Sequence, residues 1–157
     1  MIILGIDPGT ASTGYGVIKK SKVLTLECLD YNVIHTSPKM NPGDRLNVIS
    51  NELSKIIKKY KPDVLAIEKI FFFRNLKTAM PVSQAKGVIL LAAAKKKVPV
   101  WEFSPPQIKL AVTGNGRADK KEVQRKIKEI LKLKEIPKPD DAADALAIAV
   151  TYTIKAI

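Results

Sequence analysis

Cysteine and histidine are almost missing from this chain: Cys28 is the single example of the first and His35 of the second. One cysteine excludes an intramolecular disulfide and any cysteine-cluster metal site. One histidine argues against a zinc site built on imidazoles and against a histidine-dependent triad. Cys28 lies in an apolar run and reads as a core filler. Long apolar runs are also absent, so no stretch can cross a bilayer and no membrane partner is expected. The start does not read as a signal peptide, because Asp7 interrupts the apolar segment and no basic residue precedes it. A soluble, cytoplasmic protein follows as the expectation.

Acids are scarce as well. Fifteen Asp and Glu stand against 27 Lys and Arg, a formal net charge of +12. That imbalance favours a polyanion partner, through attraction to phosphates and release of their counterions. The competing reading is a lysine-rich solvated surface of the kind seen in heat-adapted proteins. The basic residues are spread along the chain, so they would act as a folded surface. A length of 157 residues fits one domain, 1–157, with a core of its own.

Ile2-Ile3-Leu4-Gly5-Ile6-Asp7-Pro8-Gly9-Thr10 opens the chain as an unbroken apolar run ending in a carboxylate. The run predicts a strand buried on both faces, and Pro8-Gly9 a turn after it. Such a strand carries an acid to its C-terminal edge, where open α/β sheets present their chemistry. Thr13–Lys20 and Lys22–Ile34 read as further strands joined at Ser21-Lys22. Gly14 and Gly16 leave one face of the first of these nearly bare, which suggests close approach by another backbone or a ligand.

After a loop over Thr36–Gly43, Leu46, Ile49, Leu53, Ile56, Ile57 and Tyr60 recur at helical spacing until Pro62. Val64-Leu65-Ala66-Ile67-Glu68 then repeats the opening pattern, a short apolar strand ending in an acid. A helical crossover between the two implies parallel strands in one sheet, with Asp7 and Glu68 at the same edge. Phe71-Phe72-Phe73-Arg74 follows; the rings are either core or free to stack on bases. Val82–Lys95 predicts a helix apolar on more than one face, needing the sheet and a second partner, for which another protomer is a reasonable candidate. Val98–Phe103 reads as a strand, with Trp101 a packing residue. Pro105–Val112 reads as a short helix, Thr113–Arg117 as a flexible loop, and Asp119-Lys120-Lys121-Glu122 as the start of an amphipathic helix.

The final helix places acids in the first turn of an otherwise apolar segment, Asp140-Asp141-Ala142-Ala143-Asp144-Ala145-Leu146. Asp140 reads as a natural N-cap after Pro139. Asp141 and Asp144 share one face, and a buried pair of like charges needs a cation. Asp7, Glu68, Asp141 and Asp144 thus have a common location. Oxygen-only donors suit Mg²⁺, with Mn²⁺ a workable substitute, and Mg²⁺ usually meets phosphate. Two ions about 4 Å apart can activate a water and stabilise the leaving oxygen of a phosphodiester.

These segments resemble the RuvC family of Holliday junction endonucleases, within the ribonuclease H-like superfamily, over essentially the full length. The resemblance rests on Gly5-Ile6-Asp7-Pro8-Gly9 with Thr13-Gly14-Tyr15-Gly16-Val17, on Ala66-Ile67-Glu68 with Phe71, and on Gln84-Ala85-Lys86-Gly87. Pro105-Pro106-Gln107-Ile108-Lys109 and Asp141-Ala142-Ala143-Asp144-Ala145-Leu146-Ala147 complete it. It implies an α/β, ribonuclease H-like fold with a mixed five-stranded sheet. Strands one to three would be antiparallel, later strands parallel by crossover helices, and helices would cover both faces.

The resemblance further implies that Asp7, Glu68, Asp141 and Asp144 bind two catalytic metal ions. It makes Phe71 the aromatic that stacks on bases, and Lys109 and Lys120 basic residues at or near the scissile phosphate and along the DNA backbone; Arg74, beside the aromatic run, is a further DNA-binding candidate. It implies symmetric cutting of four-way junction DNA by a homodimer, in recombination and repair, together with a branch-migration helicase complex. The Phe72-Phe73 pair departs from the family pattern and leaves open which ring stacks.

Three other readings compete. One is a sugar-kinase or actin-like phosphotransferase, for which the chain is short of a second domain. Another is a relative that cuts RNA, flaps or single strands. The third is a junction-binding protein without catalysis, which four retained acids argue against.

Overall fold

The computed structural model describes residues 1–23, 25–70 and 76–155. β1 (Ile2–Asp7) is flanked on both sides, and Ile3, Leu4 and Ile6 are fully buried, as its apolar run predicts. β2 (Ser12–Lys20) pairs antiparallel with β1, and β3 (Leu26–His35) antiparallel with β2. β4 (Val64–Glu68) lies parallel to β1, and β5 (Val100–Phe103) parallel to β4. The order is β3-β2-β1-β4-β5, the mixed five-stranded sheet expected from the sequence.

Helices cover both faces and enclose two separate apolar layers. α1 (Pro42–Tyr60) and α2 (Leu76–Lys95) close one layer over Leu4, Ile6, Val17, Leu65 and Ile67. α1 presents Ile49, Leu53 and Ile57, four residues apart, as its buried stripe. It ends where Lys61 turns left-handed, its N–H donating to the Ile57 carbonyl (2.8 Å), directly before Pro62. α3 (Pro105–Thr113), α4 (Lys120–Ile130) and α5 (Asp140–Lys155) close the other layer over Ile3, Ile18, Val64 and Ala66.

Two local expectations change. The β2–β3 connection is longer than Ser21-Lys22, because the Ser21 N–H donates to the Thr25 carbonyl (3.0 Å) and their hydroxyls bond at 2.6 Å. α2 begins at Leu76 rather than Val82 and carries Pro81 inside it. Trp101 is a packing residue as expected, half exposed at the rim with its ring edge-on to Tyr152 at 5.8 Å. Cys28 is half-buried against the α5 layer, and burial pushes its thiol up to about 11.

α5 is the element that makes the site. Ala142, Ala143, Ala145, Ala147 and Ala149 are buried with Leu146, Ile148 and Val150. Each large side chain there contributes about 1.5–3 kcal/mol by leaving water. The bare face of β2 is what α5 lies on. A Cβ at Gly14 would land on the Asp141 carbonyl, and one at Gly16 would stand 2.7 Å from Leu146. The close approach expected at these glycines is therefore by a helix backbone.

Candidate active site

Four acids arrive at one edge of the sheet from three directions. Asp7 is the last residue of β1 and Glu68 the last of β4; Ile6 and Ile67 are paired, so the two acids leave the sheet side by side. Asp141 and Asp144 descend from the first turns of α5, which the Gly14 contact seats against the same edge. Carboxylate oxygens of Asp7, Asp141 and Asp144 all lie within 4.8 Å of one another. Glu68 stands outside that triangle, at its rim, where it lines a cavity of about 250 Å³ with Lys109, Lys120 and Asp144.

The electrostatics follow from this crowding. Burial, then the charges of Glu68, Asp144 and Asp141, push Asp7 up to about 8. Burial and the Asp144 charge raise Glu68, against Lys109 and Lys120. Burial also raises Asp144, against its hydrogen bond and ion pair with Lys120. For Lys120 itself, burial pulls the ammonium down, but the bond to Asp144 and the charges of Asp144 and Asp140 more than offset this and hold it up. Its Nζ lies 3.0 Å from Asp144 and 3.4 Å from Asp140.

The donor set decides what can neutralise the cluster. Its ligand atoms are all carboxylate oxygens, the set that a hard divalent cation takes. His35 and Cys28 belong to other places: His35 Nδ1 sits 3.5 Å from the Ser12 hydroxyl, and Cys28 is on β3. Asp7 and Asp144, raised by burial and then by neighbouring carboxylates, gain most from such an ion. The residues present fit Mg²⁺ or Mn²⁺.

The family profile described as "Crossover junction endodeoxyribonuclease RuvC" matches residues 3–152. The chain belongs to the RuvC family. A crossover junction endodeoxyribonuclease RuvC of Ruminiclostridium cellulolyticum is 51% identical over 152 residues, covering 97% of this chain and 91% of that protein. The Thermus thermophilus RuvC structure superposes with a TM-score of 0.91 at 37% identity, covering 99% of this chain and 95% of that one. The same protein in complex with a Holliday junction substrate gives 0.94 at 38%, covering 99% and 94%. RuvC membership makes the fold ribonuclease H-like and the chain a nuclease-family protein. No helix of the described residues is long and apolar enough to cross a membrane.

Of the residues singled out in the sequence, the fold brings Asp7, Asp141 and Asp144 together, with Glu68, Lys109 and Lys120 around them. Phe71 and Arg74 lie outside the described residues. Asp140 is not the cap. The Pro139 carbonyl accepts from the N–H groups of Ala142 and Ala143, while the Asp140 carboxylate accepts from the Gln124 side chain (3.0 Å) and pairs with Lys120. Lys69 and Arg117 also reach the neighbourhood of Glu68 and were not singled out. The Gly-Asn-Gly-Arg run hid Arg117, since it reads as a plain loop.

Proposed function

We propose that this chain resolves four-way DNA junctions by metal-dependent phosphodiester hydrolysis, acting as a homodimer through one ribonuclease H-like domain, 1–157. The observation that carries the reading is the triangle of Asp7, Asp141 and Asp144, flanked by Glu68, in a RuvC-family chain of net charge +12. Asp7, Glu68, Asp141 and Asp144 would hold one or two Mg²⁺ ions, which when bound lower the pKa of water and stabilise the leaving oxygen.

The protein's own residues do the rest. The three clustered carboxylates fix where a scissile phosphate is presented. Lys109, beside Glu68 in the cavity, offsets the charge of the acid and of an incoming phosphate. Lys120 keeps its proton, because its pKa is held up by Asp144 and Asp140, so it serves as a fixed positive donor toward phosphate oxygen and not as a general base.

The twofold partner is supported by α2. Its Ala85, Ile89 and Ala93 are buried, while Met80 and Leu91 on the same helix are 64% and 54% exposed. A second protomer would cover that side, and two symmetric cuts suit a two-fold assembly. The helicase complex and the stacking role of Phe71 rest on the resemblance. The decisive experiment compares synthetic four-way junctions with flaps, duplex and RNA–DNA hybrid in Mg²⁺, for wild type and Asp7→Asn. Selective junction cutting that Asp7→Asn abolishes, with the gel shift kept, is expected. Equal cutting by both proteins would overturn the assignment.

A further inference from the structure

A second cavity, of about 710 Å³, adjoins the catalytic one, and Glu68, Pro105 and Lys109 line both. Pro8, Ile70, Val82, Pro105 and Pro106 give it an apolar floor, while Lys69, Lys109 and Arg117 stand around it. Among the described residues none of these three cations has an ion-pair partner. Glu68 is the one acid in that lining and Lys109 offsets it, so Lys69 and Arg117 leave the cavity net positive, which suits an anion.

The backbone there offers that anion almost nothing. α3 begins at the cavity, and a helix N-terminus ordinarily supplies free N–H donors. Pro105 and Pro106 have none. The Gln107 N–H is taken by the Ser104 hydroxyl (3.4 Å), the Ser104 N–H by the Gln107 side chain (2.9 Å), and the Ile108 N–H by the Ser104 carbonyl. Recognition must come from the side chains. Arg117 is well placed for it, because its loop is held by its own bonds. Thr113 Oγ1 donates to the Lys109 carbonyl (2.9 Å), the Asn115 N–H to Thr113 Oγ1 (3.0 Å), and the Arg117 N–H to Asn115 Oδ1 (2.9 Å).

We infer that this cavity seats the backbone phosphate adjoining the scissile one on the cut strand, with Arg117 as its principal ligand and Lys69 in support. The inference rests on the endonuclease reading above. A guanidinium can take a phosphate with two parallel bonds, and the apolar floor suits the deoxyribose between the two phosphates. Because the two cavities adjoin at Glu68, Pro105 and Lys109, neighbouring phosphates of one strand can occupy both.

The test uses metal-free protein, so that the junction stays intact, and a synthetic four-way junction with one neutral methylphosphonate placed in turn at each linkage around the cut. For wild type, neutralising one adjoining linkage should weaken binding about tenfold, in line with a bidentate charged contact. Arg117→Ala should lose about as much on the unmodified junction, lose nothing further at that linkage, and bind with a salt slope shallower by about 0.9. Arg117→Lys should fall between the two. An Arg117→Ala protein that keeps wild-type sensitivity at every linkage overturns the inference, as do losses that simply multiply. Both results presuppose that wild type binds the junction over duplex; failure of that control would sink the endonuclease reading instead.

Discussion

The Lys120 ammonium lies 3.0 Å from the Asp144 carboxylate, and Asp144 is one corner of the acidic triangle. A positive side chain therefore occupies part of the space in which a divalent cation would be held. Lys120 and an ion at Asp144 repel one another, and the ion competes for the same oxygens. Lys120→Met should then bind Mn²⁺ more tightly by calorimetry while cutting junctions more slowly, by about 10²-fold if the donor is lost at the phosphate. Weaker Mn²⁺ binding would show that Lys120 organises the acids and does not compete. Asp140, 3.4 Å from the ammonium and fixed by Gln124, is placed to retain Lys120 when Asp144 is taken. Asp140→Asn should accordingly slow cutting without weakening Mn²⁺ binding.

Asp7 carries the clearest stability consequence. Its pKa in the metal-free fold is about 8 against a reference of 3.8, so between those values the folded state holds a proton that the unfolded state has lost. More protons bound in the native state means stability falls as pH rises. The metal-free wild type should lose stability relative to Asp7→Asn from about pH 4 to pH 8 and level off above. A difference of about 2 kcal/mol near pH 8 corresponds to a melting point about 5 °C higher for the variant. Saturating Mg²⁺ should reverse the order, because only wild type gains the full binding free energy. A wild type that melts above Asp7→Asn in EDTA at pH 8 would contradict the geometry of the cluster.

How much of this was legible in the sequence depends on the range of the interaction. β1 and β4 could be read because each is a short apolar run with an acid at its end, and their shared edge followed from the helical crossover between them. Asp141 and Asp144 stood out because helix periodicity put like charges on one face. Gly14 and Gly16 signalled a close neighbour, yet only the packed fold identifies it as α5. What escaped was side-chain reach. Glu68 belongs to the right edge but lies outside the triangle, and Asp140 turns to Gln124 and Lys120 instead of capping its helix. Both depend on α3 and α4 packing beside α5, which no local pattern encodes. Order in the loop after α3 is hidden from the sequence for a similar reason. Thr113 and Asn115 bond their own backbone, so a stretch rich in glycine is held and not slack.

Gly14 offers a test of the packing argument apart from chemistry. Any side chain there meets the Asp141 backbone and must drive the start of α5 away from β2. Gly14→Ala should destabilise by about 1–3 kcal/mol, the usual range for overpacking. It should also weaken Mn²⁺ binding, because Asp141 moves with its backbone while Asp7 stays with β1. Denaturant unfolding and metal titration on the same protein check both halves. Lost stability with unchanged metal affinity would mean that α5 moves as a unit with the acids intact.

Asp30, on β3, lies outside the acidic cluster. The Asp30 carboxylate accepts hydrogen bonds from Tyr60 (2.5 Å) and Tyr15 (3.3 Å), tying the end of α1 to β2 and β3. Burial, followed by the charge and hydrogen bond of Asp30, pushes the Tyr15 phenol up to about 12 from 10.0. Over that interval the native state keeps a proton that the unfolded chain releases, so stability should decline from pH 10 upward, and ultraviolet titration should show the delayed ionisation. Asp30→Ala leaves two phenols without their acceptor and should cost about 1–3 kcal/mol. Junction cutting at saturating substrate should stay within about twofold of wild type, since the pair of tyrosines holds the opposite face of the sheet from α5. A large fall in cutting with stability unchanged would place Asp30 in the working machinery, and the reading of this cluster as a staple would have to be abandoned.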